Sequence, residues 1–118
     1  MCRYCEHQLS GRGPWRLPDG STDIDIIHTP GHTRGSIVLH YKPAKVLFTG
    51  DHLAFDDDNE LTIMRQYNAF SVREQLTSVA KLEGLDALLL LPGHDRRGKF
   101  ADGADRAAQL KAVLKKEL

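Results

Sequence analysis

Two hydrophobic periods alternate along the chain, and together they predict its elements. Met1 to Asp23 holds neither period: Gly11, Gly13, Pro14, Pro18 and Gly20 interrupt it, so it reads as loop, with Trp15 and Leu17 forming one short strand or packing over the core. Ile24 to His28 reads as a strand with Asp23 and Asp25 on its polar side. Ser36 to Tyr41 is a second strand, rich in residues that suit a pleated surface. Lys42-Pro43-Ala44-Lys45 is a turn, and Val46 to Thr49 returns antiparallel to the strand before it. Leu61 to Tyr67 suits a strand or an extended loop. Ser71 to Glu83 carries the helical period: Val72, Leu76, Val79 and Ala80 form one stripe, Ser71 and Glu74 make a capping box, and Gly84 supplies the stop. Leu85 to Leu91 is apolar on both faces, which predicts a buried strand in a sheet covered by helix on one side and by something else on the other. A last helix starts at Asp102 or Gly103 and runs to Leu118, with Ala107, Leu110, Leu114 and Leu118 inward.

One pattern recurs three times. An apolar strand stops at a glycine turn, and a residue able to bind a metal follows: Ile24, Ile26 and Ile27 lead to Pro30-Gly31-His32, Val46-Leu47-Phe48 to Thr49-Gly50-Asp51, and Leu88 to Leu91 to Pro92-Gly93-His94. A buried strand fixes its own end, and glycine turns the backbone where a Cβ would clash. The side chain just past the turn therefore sits on the rim of the sheet, held by rigid elements. Imidazole and carboxylate are ligands that zinc and similar divalent ions accept, so His32, Asp51 and His94 are the candidate metal ligands.

Composition narrows the partners. At 118 residues, 41% hydrophobic and 27% charged, the chain fits one domain with one core. Its formal net charge of zero gives no support to nucleic acid or an anionic membrane as partner; a small-molecule substrate is expected only if the chain is active. The longest apolar run, Ala87 to Pro92, is too short to span a bilayer, and the opening residues show neither a secretory signal nor a transit peptide. Cys2 and Cys5, with His7 nearby, are either half of a zinc site or redox pair, or incidental thiols; the lack of a second Cys pair favours the latter.

The remaining polar residues have plainer readings. Asp56-Asp57-Asp58-Asn59 reads as a solvated turn. His28 reads as a framework hydrogen-bonder, His40 as exposed, and His52 as pointing away from the metal ligands. Tyr67 and Asn68 either line a substrate pocket or anchor the start of the helix, the second being favoured. Arg96, Arg97 and Lys99 form a basic loop that draws an anionic substrate group or is simply solvated.

HTPGHTRGS, LFTGDHL and LLPGHD, in this order and spacing, resemble three consecutive motifs of the metallo-β-lactamase superfamily, which includes glyoxalase II-type thioesterases. With its GPW segment and Arg65-Gln66-Tyr67-Asn68, the chain is similar to a plant and cyanobacterial branch, which points to a plastid or a cytoplasm. The resemblance covers Gly13 to the C-terminus. It implies an α/β fold: half of an αββα sandwich, a mostly antiparallel, mixed sheet flanked by two helices. The chain is then one partial domain, 1–118, with an irregular segment 1–22 and the sheet and helices in 23–118. The resemblance also implies a zinc cofactor in a binuclear site, with His32 on the first metal, Asp51 bridging both and His94 on the second. In the family such ions share a hydroxide that attacks a carbonyl or phosphoryl centre.

The family's first motif, HxHxDH, is absent, and the chain begins about where the second half of the sandwich is expected. Each ion is then offered one histidine and a share of Asp51, whereas a catalytic zinc normally has three protein ligands. The isolated chain is accordingly expected to be inactive. Two function classes follow: a zinc-dependent thioester or ester hydrolase completed by a missing N-terminal half or another chain, and a non-catalytic half-domain that binds a partner, a homodimer included, through its uncovered sheet.

Overall fold

The computed structural model describes residues 15–17, 19, 21–94 and 96–117. Cys2, Cys5, Leu118 and most of the predicted N-terminal loop lie outside the described residues. The main sheet has six strands: β1 (Trp15–Arg16), β2 (Ile24–His28), β3 (Ile37–Tyr41), β4 (Val46–Gly50), β7 (Leu89–Pro92) and β8 (Gly98–Lys99), in that spatial order. Between β4 and β7 the chain forms a separate two-stranded sheet, β5 (Ala54–Phe55) and β6 (Leu61–Thr62), a 3-10 turn at Arg65–Tyr67, and helix α1 (Val72–Ala80). Helix α2 (Gly103–Glu117) closes the chain.

β2, β3 and β4 form an antiparallel meander, with Ile26 opposite Leu39 and Leu39 opposite Phe48. The Lys42–Lys45 turn joins β3 to β4, with Lys45 at a φ of 55°. β4 and β7 run parallel, with Leu47 opposite Leu90. A parallel pair needs a long crossover, and β5, β6 and α1 supply it. That one parallel pairing sends the C-terminal ends of β4 and β7, and so Asp51 and His94, to the same rim.

One half of the capping box at α1 is formed, the Ser71 hydroxyl accepting from the Glu74 amide at 3.1 Å, while the Ser71 amide donates to the Gly31 carbonyl rather than to Glu74. The strand expected from Leu85 begins instead at Leu89. Leu82 to Ala87 closes α1 through turns, with the Leu85 amide on the Leu82 carbonyl at 3.2 Å and the Ala87 amide on the Leu85 carbonyl at 3.0 Å. An unbroken leucine run carries no period, so it marks burial without marking where the strand starts.

The core lies on one face of the sheet. Val38, Leu47 and Leu90, all fully buried, meet Leu76, Val79 and Leu82 from the first helical segment and Leu110 and Val113 from α2. Each such side chain stabilises by roughly 1.5–3 kcal/mol through burial. The inner stripe of α2 differs from expectation: Arg106, Leu110 and Val113 are buried, while Ala107 and Leu114 are half-buried. The helix turns so that Arg106 donates to the Ala87 carbonyl at 3.0 Å and the Glu83 carbonyl at 3.3 Å, satisfying the end of the α1 connection. His40 is also corrected. It is 4% exposed, on the Val38 face, and hydrogen-bonds the Asp86 carbonyl at 3.0 Å. Both faces of β3 carry apolar residues, and the helices cover the one that holds the histidine.

The opposite face carries Ile24, Ile26, Ile37, Leu39, Tyr41, Phe48, Leu89 and Leu91 by register. Val46 shares this face, and it and Ile26 are buried at 6% and 8% exposure, whereas Ile37, Tyr41 and Phe48 are 38%, 36% and 43% exposed. No helix among the described residues is long and apolar enough to cross a membrane.

Candidate functional site

The loop between β2 and β3 carries His32 and is clamped onto the start of α1. Gly31 sits at a φ of +150°, and a Cβ there would lie 2.1 Å from the Cα of Gln75. Only glycine allows the loop backbone to lie directly on the helix backbone. The Gly31 carbonyl accepts from the Ser71 amide at 2.9 Å and from Asn68 Nδ2 at 2.8 Å. Asn68 also donates to Gln75 Oε1 at 2.8 Å, and Gln75 Nε2 donates to the His52 carbonyl at 2.9 Å. The His32 carbonyl accepts from the Ala69 amide at 2.9 Å, and Ser78 donates to the Pro30 carbonyl at 2.8 Å. His28 is a framework residue, its Nε2 2.8 Å from the Arg34 carbonyl.

Asp51 follows Gly50, which has a φ of 53° at the end of β4. The Gly93 amide donates to the Gly50 carbonyl at 2.8 Å, and a Cβ on Gly93 would come within 2.9 Å of Asp51 Oδ1. Glycine at 93 therefore keeps the space that the carboxylate fills. The three predicted residues converge: His94 Nε2 lies 2.8 Å from Asp51 Oδ1, and His32 Nε2 lies 3.6 Å from Asp51 Oδ2. One carboxylate thus faces two imidazoles through its two oxygens. The His94 side chain is 77% exposed, Asp51 47% and His32 18%, so the group opens to solvent on the His94 side.

A cavity of about 640 Å³ adjoins this group, lined by His32, Asp51 and His94 together with Leu53, Ala54, Phe55, Asp57, Met64, Tyr67 and Arg96. Tyr67 is 69% exposed and lines this cavity rather than anchoring the helix; Asn68, through its bonds to Gly31 and Gln75, does the anchoring. Arg96 donates to the Asp56 carbonyl and lies 3.6 Å from Asp57. The acidic turn is solvated as expected, with Asp57 and Asp58 exposed. The Leu53–Phe55 floor was not legible as a site, since these residues read equally well as core.

His52, expected to point away from the metal ligands, is a buried residue. It is 1% exposed, neither ring nitrogen has a hydrogen-bond partner, and it lines a second cavity with His32, Asp51 and Thr49. Burial, with smaller contributions from Lys81 and His32, pushes its imidazole down from 6.5 to about 4.

The donor set can be tested against a metal on these distances. Nitrogen and carboxylate oxygen suit zinc, and the two-sided Asp51 suits a bridge. The number falls short: the arrangement gives each ion one imidazole and one oxygen, and no group of three or more His, Cys, Asp or Glu among the described residues is placed to hold one ion. Among the described residues, His32, Asp51 and His94 thus have the donor types a zinc ion accepts without the number that would complete a site.

Comparison with known proteins places the chain's family and fold. The metallo-beta-lactamase superfamily profile matches residues 14–94. Over 32 residues the chain is 53% identical to the acyl-coenzyme A thioesterase MBLAC2 of Homo sapiens and of Bos taurus, covering 27% of this chain and 12% of that protein. The metallo-beta-lactamase family protein TTHA1429 from Thermus thermophilus superposes with a TM-score of 0.55 at 26% identity, over 79% of this chain and 30% of its own. VMB-1 superposes with a TM-score of 0.66 at 21% identity, over 94% of this chain and 48% of its own. This chain thus spans less than half the length of each of these proteins. Proteins of the superfamily generally bind zinc or iron.

The clamp and the buried histidine can both be tested by unfolding. Gly31→Ala places a methyl inside the α1 backbone and should cost about 3 kcal/mol or more in urea unfolding; a loss under about 1 kcal/mol would show that the clamp is loose. For His52, the unfolded chain binds a proton between pH 6.5 and about 4 that the folded chain refuses, so stability falls as pH falls through that window. The loss reaches roughly 2–3 kcal/mol by about pH 4.5. His52→Leu should remove it, measured as the difference in urea midpoints between about pH 7 and 4.5 for wild type and variant with chelator present. Strand order, rim position and profile match agree: the chain belongs to the metallo-beta-lactamase superfamily.

Proposed function

We propose that the chain supplies one side of a binuclear zinc hydrolase site acting on thioesters or esters. Asp51 bridges the ions, His32 binds one and His94 the other. The observation that carries this reading is the carboxylate facing an imidazole from each of its oxygens, at 3.6 and 2.8 Å. A catalytic zinc takes three protein donors, so the remaining ligands come from a complementary polypeptide segment bearing the HxHxDH motif. The thioester class is supported by the short stretch shared with an acyl-coenzyme A thioesterase. The test is to mix the zinc-loaded chain with such a segment and assay acyl-coenzyme A hydrolysis. Turnover should need both partners and fall about a hundredfold or more with Asp51→Asn. A zinc-loaded complex without turnover would refute the reading.

A second reading, a non-catalytic half-domain that docks a partner or a second copy, is favoured by the exposed Ile37, Tyr41 and Phe48 on one sheet face. On this reading the chain alone sediments as a concentration-dependent oligomer, and Phe48→Asp makes it monomeric. A wild-type monomer at every concentration, with no partner required for solubility, would count against it.

A further inference from the structure

We infer that Arg65 and Glu117 are positioning residues, which hold the Arg65–Tyr67 turn on the end of α2 and so fix where Met64 and Tyr67 stand over the cavity beside Asp51. The inference rests on the hydrolase reading for its effect on a substrate, but not for the contact itself. The turn has no buried residue of its own, so packing does not hold it. Just before it, Ile63 is 3% exposed, in the core with Leu110 and Val113 of α2. Just after it, Asn68 is tied to the Gly31 carbonyl at 2.8 Å. Between these anchors Met64 and Tyr67 leave the core and line the cavity. A short turn exposed to water opens readily unless polar contacts take the place of the missing core. Arg65 supplies them.

Arg65 Nε donates to the Glu117 carboxylate, and its Nη2 donates to the Glu117 backbone carbonyl at 2.7 Å. That carbonyl is one that the end of a helix leaves without an intrahelical donor, and a cation there also meets the negative end of the helix dipole. A lone surface ion pair contributes little. This one differs, because the Glu117 side chain is only 11% exposed and two donors of one planar group grip a single residue. The same turn of α2 reaches a second part of the lining. Lys116 Nζ lies 3.8 Å from Asp56 Oδ2, and Asp56 stands between Phe55 and Asp57, both of which line the cavity. The Asp56 carboxylate also accepts from the Asp58 and Glu60 amides at 2.9 Å, and its backbone carbonyl accepts from Arg96. Consecutive residues at the end of α2 are thus tied to two separate stretches of the cavity wall.

Met64 gives a clean probe, since Met1 is the chain's other methionine. The test is NMR of the metal-free chain, reading the methyl order parameter of Met64 and hydrogen exchange at the Tyr67 and Asn68 amides, which close the turn on the Met64 and Arg65 carbonyls. Glu117→Ala and Arg65→Ala should each lower the Met64 order parameter and speed exchange at Tyr67 and Asn68 about tenfold, with Leu47, Val79 and Leu110 unchanged. The double variant should be no worse than either single one. Glu117→Gln, which keeps an oxygen for Arg65, should retain most of the protection. Wild-type behaviour in both alanine variants, or an equal acceleration at the core residues, would overturn the inference. In the completed zinc complex the two alanine variants should raise KM for an acyl-coenzyme A about fivefold and leave kcat within about twofold, because the turn borders the cleft without touching the ions. A fall in kcat at unchanged KM would also overturn it. A complex without turnover would discard the hydrolase reading and leave the exchange result to decide this inference.

Discussion

The site depends on one close approach, the backbone of Gly31 against that of Gln75. A loop that carries a ligand is ordinarily free to swing, and its donor then spends its time in solvent. Here the loop cannot swing, because its backbone lies on the first turns of α1 with no side chain between them. Two side chains lock the contact. Asn68 ties the Gly31 carbonyl to Gln75, and Gln75 passes the tie on to the His52 carbonyl, next to Asp51. One short network therefore sets the position of His32 and of the turn that bears Asp51. Hydrogen bonds of this buried kind contribute about 1 kcal/mol each, and leaving one partner unsatisfied costs more.

The second constraint is topological. Pairing β4 with β7 in parallel places two strand ends on one rim, and the Gly93 amide on the Gly50 carbonyl holds them together. His94 reaches Asp51 as a result, although the two are far apart in the chain. On the other, apolar face of the sheet, Ile37, Tyr41 and Phe48 are left exposed. On the proposed reading, a complementary segment laid on those exposed residues would also be near the rim.

Much of this was legible in the sequence. The three strand-glycine-ligand repeats identified the rim, because glycine before a His or Asp is a local signal. The α1 cap at Ser71 was legible for the same reason. What escaped depended on which face of an element ends up covered. β3 is apolar on both faces, so its alternation could not say whether His40 or Ile37 would be buried. The leucine run from Leu88 had no period to mark where β7 starts. In α2, Arg106 takes an inner position because carbonyl groups at Glu83 and Ala87 await it, which no helical wheel records. The burial of His52 with both nitrogens unpaired was not legible, because a histidine after an aspartate gives no hint of it.

The central claim is that Asp51 is the shared ligand of two ions, each with its own histidine. Anomalous diffraction at the zinc edge, from zinc-soaked crystals of the chain in complex with the complementary HxHxDH-bearing segment, tests it directly. The expected result is two peaks flanking Asp51, one about 2.0–2.2 Å from His32 Nε2 and one at a similar distance from His94 Nε2. Zinc bound elsewhere, or bound without Asp51 between two ions, would contradict it.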